Sequence, residues 1–424
     1  MKLRSRALLP LAVFAAWFSV VATAWGHGGI PAPQQILWRG ESMLVPTPYW
    51  GLFVGAPSGE WRWICDEAIN SYQQHSFAVG GDGTLYATDR MGMQVSRDAG
   101  CSWDSITGPL ASQFILTIQG SPNRPRVWAL ASGDGGGTSL WTSDDAGRTW
   151  QQRFDLPMTW PSGLVVSSDG QIVVAGVASS DASRQMRLIA SRDGGETFST
   201  ENVFHLVGGL PLNQITPLWV DPQPPNDIWV SGRVDTVTTL LQLSSGAPPK
   251  EHLRLAVNIF DMLRSPGTDQ LLVATAAGLY SRVGSAAFSP LPTISTSRCL
   301  STHGADLFAC AWNFQPDQAA LVRLSDAATQ RTRIFQYQDT KGPQSCPATT
   351  SVGRTCPMAW NIYASQLGIE LKPDTPPTGS SMGCALATGR GSQGLGALLG
   401  VGLCLLALSR RRCLPFFRQE LPRL

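Results

Sequence analysis

Charge is scarce in this chain of 424 residues. Charged side chains make up 15%, and the formal net charge is only +2. A protein that binds nucleic acid by neutralising phosphates needs a basic surface, so that class is excluded. Histidine is scarcer still. His27, His75, His205, His252 and His303 are the whole set, and no two stand at a metal-ligand spacing. If cleavage of a leader left His27 at the N-terminus it could chelate copper, a weak signal. No C-x-x-C pair is present. The Gly-rich turn GGDGTLY (residues 80–86) lacks the Lys-Ser/Thr of a phosphate loop. SGDGGG (residues 132–137) lacks the acidic ligand count of a calcium loop. No metal and no cofactor is expected.

What the chain has in quantity is turn formers and aromatics: 43 Gly, 30 Pro and 15 Trp. That mixture suits short strands joined by many turns, not helices. With 43% apolar residues the chain carries enough hydrophobic surface to fold.

Both ends read as targeting segments. Lys2, Arg4 and Arg6 precede an apolar run over residues 7–21, followed by Ala22-Thr23-Ala24. This is the order of a signal peptide over residues 1–24, with Gly26 as an alternative cut. Residues 370–383, ELKPDTPPTGSSMG, form an expected linker. Cys384 follows, then an uncharged stretch over residues 391–409, then Arg410, Arg411 and Arg412. Nineteen uncharged residues suffice for a membrane span, and arginines at its end would stay cytoplasmic. Linker, Cys, apolar run and Arg cluster together resemble the MYXO-CTERM sorting signal. The resemblance implies a surface protein anchored, or processed near Cys384, through residues 384–424. The chain continues beyond the Arg cluster, where that family usually ends.

Six cysteines lie in the body, Cys65, Cys101, Cys299, Cys310, Cys346 and Cys356. An even number in an exported chain implies disulfides. Proximity in sequence suggests Cys299–Cys310, Cys346–Cys356 and, by remainder, Cys65–Cys101. Six cysteines allow 15 connectivities.

One phrase recurs. SRDAGCSW (96–103), SDDAGRTW (143–150) and SRDGGETF (191–198) each follow two strand candidates. The aspartates Asp98, Asp145 and Asp193 suit a tight turn by accepting hydrogen bonds from nearby backbone N–H groups. Gly100, Gly147 and Gly195 suit a positive φ. Trp103, Trp150 and Phe198 would point back between neighbouring sheets. With Ser96, Ser143 and Ser191 these residues form a folding device, not a catalytic set. Fainter echoes around Ser58, Ser244, Ser281 and Ser325 extend the series to seven units of roughly 45 residues. Seven such units fit one closed all-β propeller over residues 25–369, most readily with seven four-stranded blades and a C-terminal transmembrane helix. Six or eight blades remain open, since the four faint copies carry no independent weight.

The phrase S-x-D-x-G-x-T-W resembles the Asp-box or BNR repeat of bacterial sialidases, sortilin-type receptors and photosystem assembly propellers. The resemblance implies a turn between the third and fourth strands of each blade. A sialidase-like catalyst would further need an Arg-Ile-Pro segment, an arginine triad and a tyrosine nucleophile. Arg-Ile-Pro is absent and only six tyrosines occur. Arg62, Arg126 and Arg187 are not tied to one place, and Asp66 and Glu67, adjacent in sequence, would point opposite ways on a strand. The expected function is therefore binding through a propeller face, of carbohydrate or protein, with no catalytic residue named. The alternative is a glycoside hydrolase or lyase of sialidase-like type. The inserts at 132–139, 179–185 and 233–239 are the first places to look for ligand contacts.

Overall fold

The computed structural model describes residues 31–70, 76–89, 92–121, 124–132, 136–181, 185–204 and 212–370. The expected signal peptide, the linker beyond residue 370, Cys384, and the tail with Arg410, Arg411 and Arg412 lie outside them, as do His27, His75 and His205. No helix among the described residues is long and apolar enough to cross a membrane.

Seven sheets follow one another along the chain, each with four consecutive antiparallel strands, and the first gains a fifth strand from the C-terminal side. Blade 1 holds β1 (Leu37–Arg39), β2 (Ser42–Thr47), β3 (Gly51–Gly55) and β4 (Trp61–Ile64). Blade 2 holds β5 (Ser76–Val79), β6 (Leu85–Asp89), β7 (Gly92–Ser96) and β8 (Asp104–Ser105). Blade 3 holds β9 (Phe114–Gly120), β10 (Val127–Ser132), β11 (Gly137–Ser143) and β12 (Gln151–Pro157). Blade 4 holds β13 (Thr159–Val166), β14 (Val173–Ser179), β15 (Met186–Ser191) and β16 (Ser199–Phe204). Blade 5 holds β17 (Gln214–Val220), β18 (Ile228–Val234), β19 (Val237–Leu243) and β20 (Lys250–Leu255). Blade 6 holds β21 (Ile259–Arg264), β22 (Gln270–Thr275), β23 (Gly278–Val283) and β24 (Ser289–Leu291). Blade 7 holds β25 (Leu300–His303), β26 (Asp306–Cys310), β27 (Leu321–Ser325) and β28 (Gln330–Phe335). The first strands of successive blades are neighbours, from β1 through to β25. The fold is an all-β, seven-bladed propeller.

Burial follows strand position. The second strand of blade 3, VWALAS, is buried along its whole length, because neighbouring blades cover both its faces. The fourth strand, QQRFDLP, faces solvent and is largely polar or half-exposed. A continuous apolar run followed by a polar one is thus the local signature of inner and outer strands.

The ring closes without exchanging a strand between the first and last blades. Aromatic packing joins them instead. Trp38 stacks on His303 at 4.0 Å and donates from Nε1 to Ser301 Oγ at 3.0 Å. Trp61 stacks on Phe335 at 4.1 Å, and Phe53 packs on Tyr337 at 4.9 Å. The chain then returns to blade 1. Strand β29 (Thr340–Pro343) pairs in parallel with β4 on its outer edge. Beyond it, α2 (Ser351–Gln366) packs on the short helix α1 (Asp66–Ile69). Thr350 caps α2 by accepting from Gly353 N at 3.1 Å.

Three disulfides join the six body cysteines: Cys65–Cys356, Cys101–Cys346 and Cys299–Cys310. The expected pairs Cys346–Cys356 and Cys65–Cys101 are not formed. Helix α2 begins between Cys346 and Cys356 and carries Cys356 toward α1, while Cys346 stays beside the first repeat turn. Ring closure brings together cysteines 291 and 245 residues apart, so proximity in sequence pointed the wrong way for these two. The local pair spans a separation of 11 residues, from the residue just before the first strand of blade 7 to the end of its second strand.

Candidate functional site

The repeated phrase occupies the turn between the third and fourth strands of blades 2, 3 and 4. Its atoms are arranged alike each time. Ser96, Ser143 and Ser191 donate from Oγ to Oδ1 of Asp98, Asp145 and Asp193, at 3.0, 2.8 and 2.6 Å. The same hydroxyls accept from Gly100 N, Gly147 N and Gly195 N at 2.9, 3.0 and 2.8 Å. Each carboxylate also accepts a backbone N–H, from Ser102, Thr149 and Thr197, at 2.7, 2.9 and 3.0 Å. Burial pushes the Asp145 carboxyl up, but the Thr149 and Ser143 hydrogen bonds outweigh it and hold it at about 2. Asp98 is held low against the same upward push, by Ser102 and Ser96. Ser191 and Thr197 hold Asp193 well below the usual carboxylate range. All three are therefore fixed anions whose acceptor capacity is used within the turn.

The glycines are required twice over. Their φ values of +91, +74 and +88° are left-handed. A Cβ would also collide with the preceding blade: with Ile64 at Gly100, with Tyr86 at Gly147 and with Trp128 at Gly195. The aromatics point the same way. Trp103 joins the blade 1 core, Trp150 packs on the blade 2–3 cluster, and Phe198 meets Trp128 edge-on at 6.4 Å. Each turn is an inter-blade fastener.

Ser58, Ser244, Ser281 and Ser325 fall on the third strand or the turn after it in blades 1, 5, 6 and 7. There the chemistry differs. Ser244 Oγ donates to Asp227 at 2.6 Å, and Gln242 Nε2 donates to the same carboxylate. Gln242 Oε1 lies 2.6 Å from His252 Nε2, and Arg282 lies 2.7 Å from His252 Nδ1. Arg282 can only donate, so Nδ1 accepts and Nε2 carries the proton. Arg282 also sits over Trp229 and Phe288, at 5.0 and 5.2 Å from their ring centres. Burial, then the Arg282 charge, lowers the His252 pKa to about 4. Sequence reading missed this relay. One signal was available: Phe288 stands seven residues after Ser281, as Trp103 does after Ser96.

A cavity of about 830 Å³ opens beside the first-to-second strand turns of blades 4 to 7. Because the sheets are antiparallel, this is the face that also bears the repeat turns. Arg264 is its centre. The guanidinium pairs with Asp221, and with Asp269 at 3.4 Å, while its Nε is buried without a partner. Asp221 is buried; Asp269 is exposed. Half-buried Trp219, with Pro222, Pro266 and Thr302, completes the wall. The one cation of the lining is thus held between two carboxylates. The cavity offers an indole, hydroxyls and an exposed carboxylate.

The inserts expected to bind ligand are second-to-third strand turns, so they lie on the opposite face. Parts of 132–139 and 179–185 fall outside the described residues. The third, 233–239, borders a smaller hollow of about 250 Å³ with Arg233, Asn258 and Phe260. Exposed Met158 and Trp160 are on that side too. Arg62, Arg126 and Arg187 do not converge; Arg62 pairs with Glu60 and Arg126 with Asp144. No group of three His, Cys, Asp or Glu able to hold a metal occurs among the described residues.

Asp66 and Glu67 lie on α1, not on a strand, and both reach one partner. Tyr363 Oη of α2 stands 3.2 Å from Asp66 Oδ1 and 2.9 Å from Glu67 Oε1. Burial, then the neighbouring Glu67 charge, pushes the Asp66 carboxyl up to about 7.

No family model matches the chain, and no curated protein does. Solved structures that resemble it include a GH74 enzyme of Niastella koreensis, at 15% identity over 62% of this chain and 45% of that one, with a TM-score of 0.46. Sqt1 of Saccharomyces cerevisiae matches at 10% identity over 75% of this chain and 89% of its own, TM-score 0.49. The β-propeller domain of the Trilobed protease from Pyrococcus furiosus matches at 10% over 73% and 99%, TM-score 0.48. This chain thus spans under half the length of the GH74 enzyme.

Proposed function

We propose that this protein is an exported, surface-anchored β-propeller that binds a neutral, hydroxyl-rich ligand of the carbohydrate class at the cavity around Arg264. In this reading the repeat turns are Asp-box repeats that lock the blades, and residues 384–424 are a MYXO-CTERM-type anchor. Disulfides joining all six body cysteines support export, since such bonds persist in oxidising compartments.

The observation that carries the binding reading is the charge arrangement of the cavity. Arg264 is already paired with Asp221 and Asp269, which favours a neutral ligand over an anionic one. A sugar suits what is left: its apolar C–H face against the Trp219 indole, its hydroxyls on Asp269 and Thr302. A glycan array followed by calorimetry on the purified protein tests this. Trp219→Ala and Asp269→Asn should each weaken binding at least about tenfold, or ~1.4 kcal/mol, measured at a temperature where both variants remain folded. The same samples should release no reducing ends above a boiled control. Turnover abolished by replacing a single carboxylate would favour a glycoside hydrolase or lyase of sialidase-like type instead. Glycan binding unaffected by either cavity variant would move the site elsewhere on the ring.

A further inference from the structure

The contact between α1 and α2 has one hydroxyl too few for two carboxylates. Tyr363 Oη lies within hydrogen-bond distance of both Asp66 and Glu67, yet a phenol has a single proton to donate. One O–H shared between two carboxylates makes two weak three-centre contacts, whereas a carboxyl O–H that donates back to the phenol oxygen makes both contacts full hydrogen bonds. We propose that one proton shared by Asp66, Glu67 and Tyr363 latches the C-terminal clasp to blade 1, and that its loss loosens α2 from α1.

The surroundings of this contact are aromatic and offer the carboxyls little compensation. Tyr363 is walled by Trp50 at 5.2 Å and Trp63 at 4.4 Å, and Glu67 Oε2 is buried without a partner. Cations are present on the packed elements but are not engaged with either carboxyl. Arg62 on β4 pairs with Glu60. Lys341 on β29 and Arg354 on α2 are exposed and form no ion pair with Asp66 or Glu67 among the described residues. β3 carries no titratable side chain, and Glu370 beyond α2 adds a negative charge. Burial raising the Asp66 carboxyl agrees with this geometry. Deprotonation would leave two adjacent carboxylates around one phenol in an aromatic pocket, which is repulsive. Cys65–Cys356 and Cys101–Cys346 tether the element, so the response is local opening rather than release. The sign follows. A carboxyl whose folded pKa is raised favours the native contact at low pH and loses that advantage as pH rises toward about 7.

Hydrogen exchange of the oxidised full-length protein reads this directly. After correction for intrinsic rates, protection of Ser351–Gln366 should fall at least about tenfold between roughly pH 5 and 7, with β10 unchanged as internal reference. Asp66→Asn keeps a neutral hydrogen-bonding group and should abolish the step. A step that persists in Asp66→Asn, or none in the wild type, overturns the proposal. Should that variant fail to fold, carbon-13 carboxyl titration of the wild-type protein decides: a midpoint near 7 for this pair supports the latch, and midpoints for both groups in the ordinary carboxylate range sink it.

Discussion

Gly195 lies against the indole of Trp128 in the preceding blade, leaving no room for a Cβ. The same relation holds between Gly147 and Tyr86. The glycine of the repeated phrase therefore reports a tertiary contact as well as a backbone angle. Gly195→Ala should destabilise the protein by about 2–4 kcal/mol, from φ strain and overpacking together. Gly246, in the corresponding turn of blade 5, has φ +74° but open space around it. Gly246→Ala should cost only about 1 kcal/mol. Urea unfolding of the two variants separates the contributions; equal losses would show that the blade contact adds nothing.

The turn carboxylates set an acid limb. Asp145 is held at about 2, below its ordinary value. Its contribution is present above the ordinary carboxylate range and disappears as pH falls toward 2. Asp145→Asn should flatten that limb of the stability profile. An unchanged profile between pH 4 and 2 would remove the carboxylate from the account.

His252 acts at milder pH. Its pKa of about 4 lies below the ordinary histidine value. The unfolded chain therefore takes up the proton first, and stability falls as pH drops from about 6.5 to 4. Replacing His252 with Phe removes this dependence, with the ring still placed to pack on Trp229. Persistence of the same slope in the variant would assign it to another group.

The two long-range disulfides hold the clasp. Loss of Cys65–Cys356, in the double serine variant, should destabilise by about 2–5 kcal/mol. Loss of Cys299–Cys310 should cost less, because it closes a far shorter loop. Equilibrium unfolding of both variants, oxidised, checks the order, and a reversed order would mean that the clasp forms without its crosslink.

Much of the ring was legible in local chemistry. Ser143-x-Asp145-x-Gly147 forms its hydrogen bonds within seven residues, so spacing alone specifies the turn, whereas three clear copies left the number of blades for the structure to decide. Continuous apolar runs such as VWALAS mark strands covered on both sides. The disulfide partners of Cys65 and Cys101 were not legible, because ring closure, a property of the whole chain, brings residues 356 and 346 beside them. Nor was the Arg264 cavity. Asp221, Arg264 and Asp269 come from the turns of two blades and share no motif. Asp66, Glu67 and Tyr363 meet only because α2 returns to the first blade. Short-range hydrogen bonding is written into neighbouring residues and can be read there. Contacts between distant segments depend on how seven twisted sheets close, and only the tertiary structure decides them.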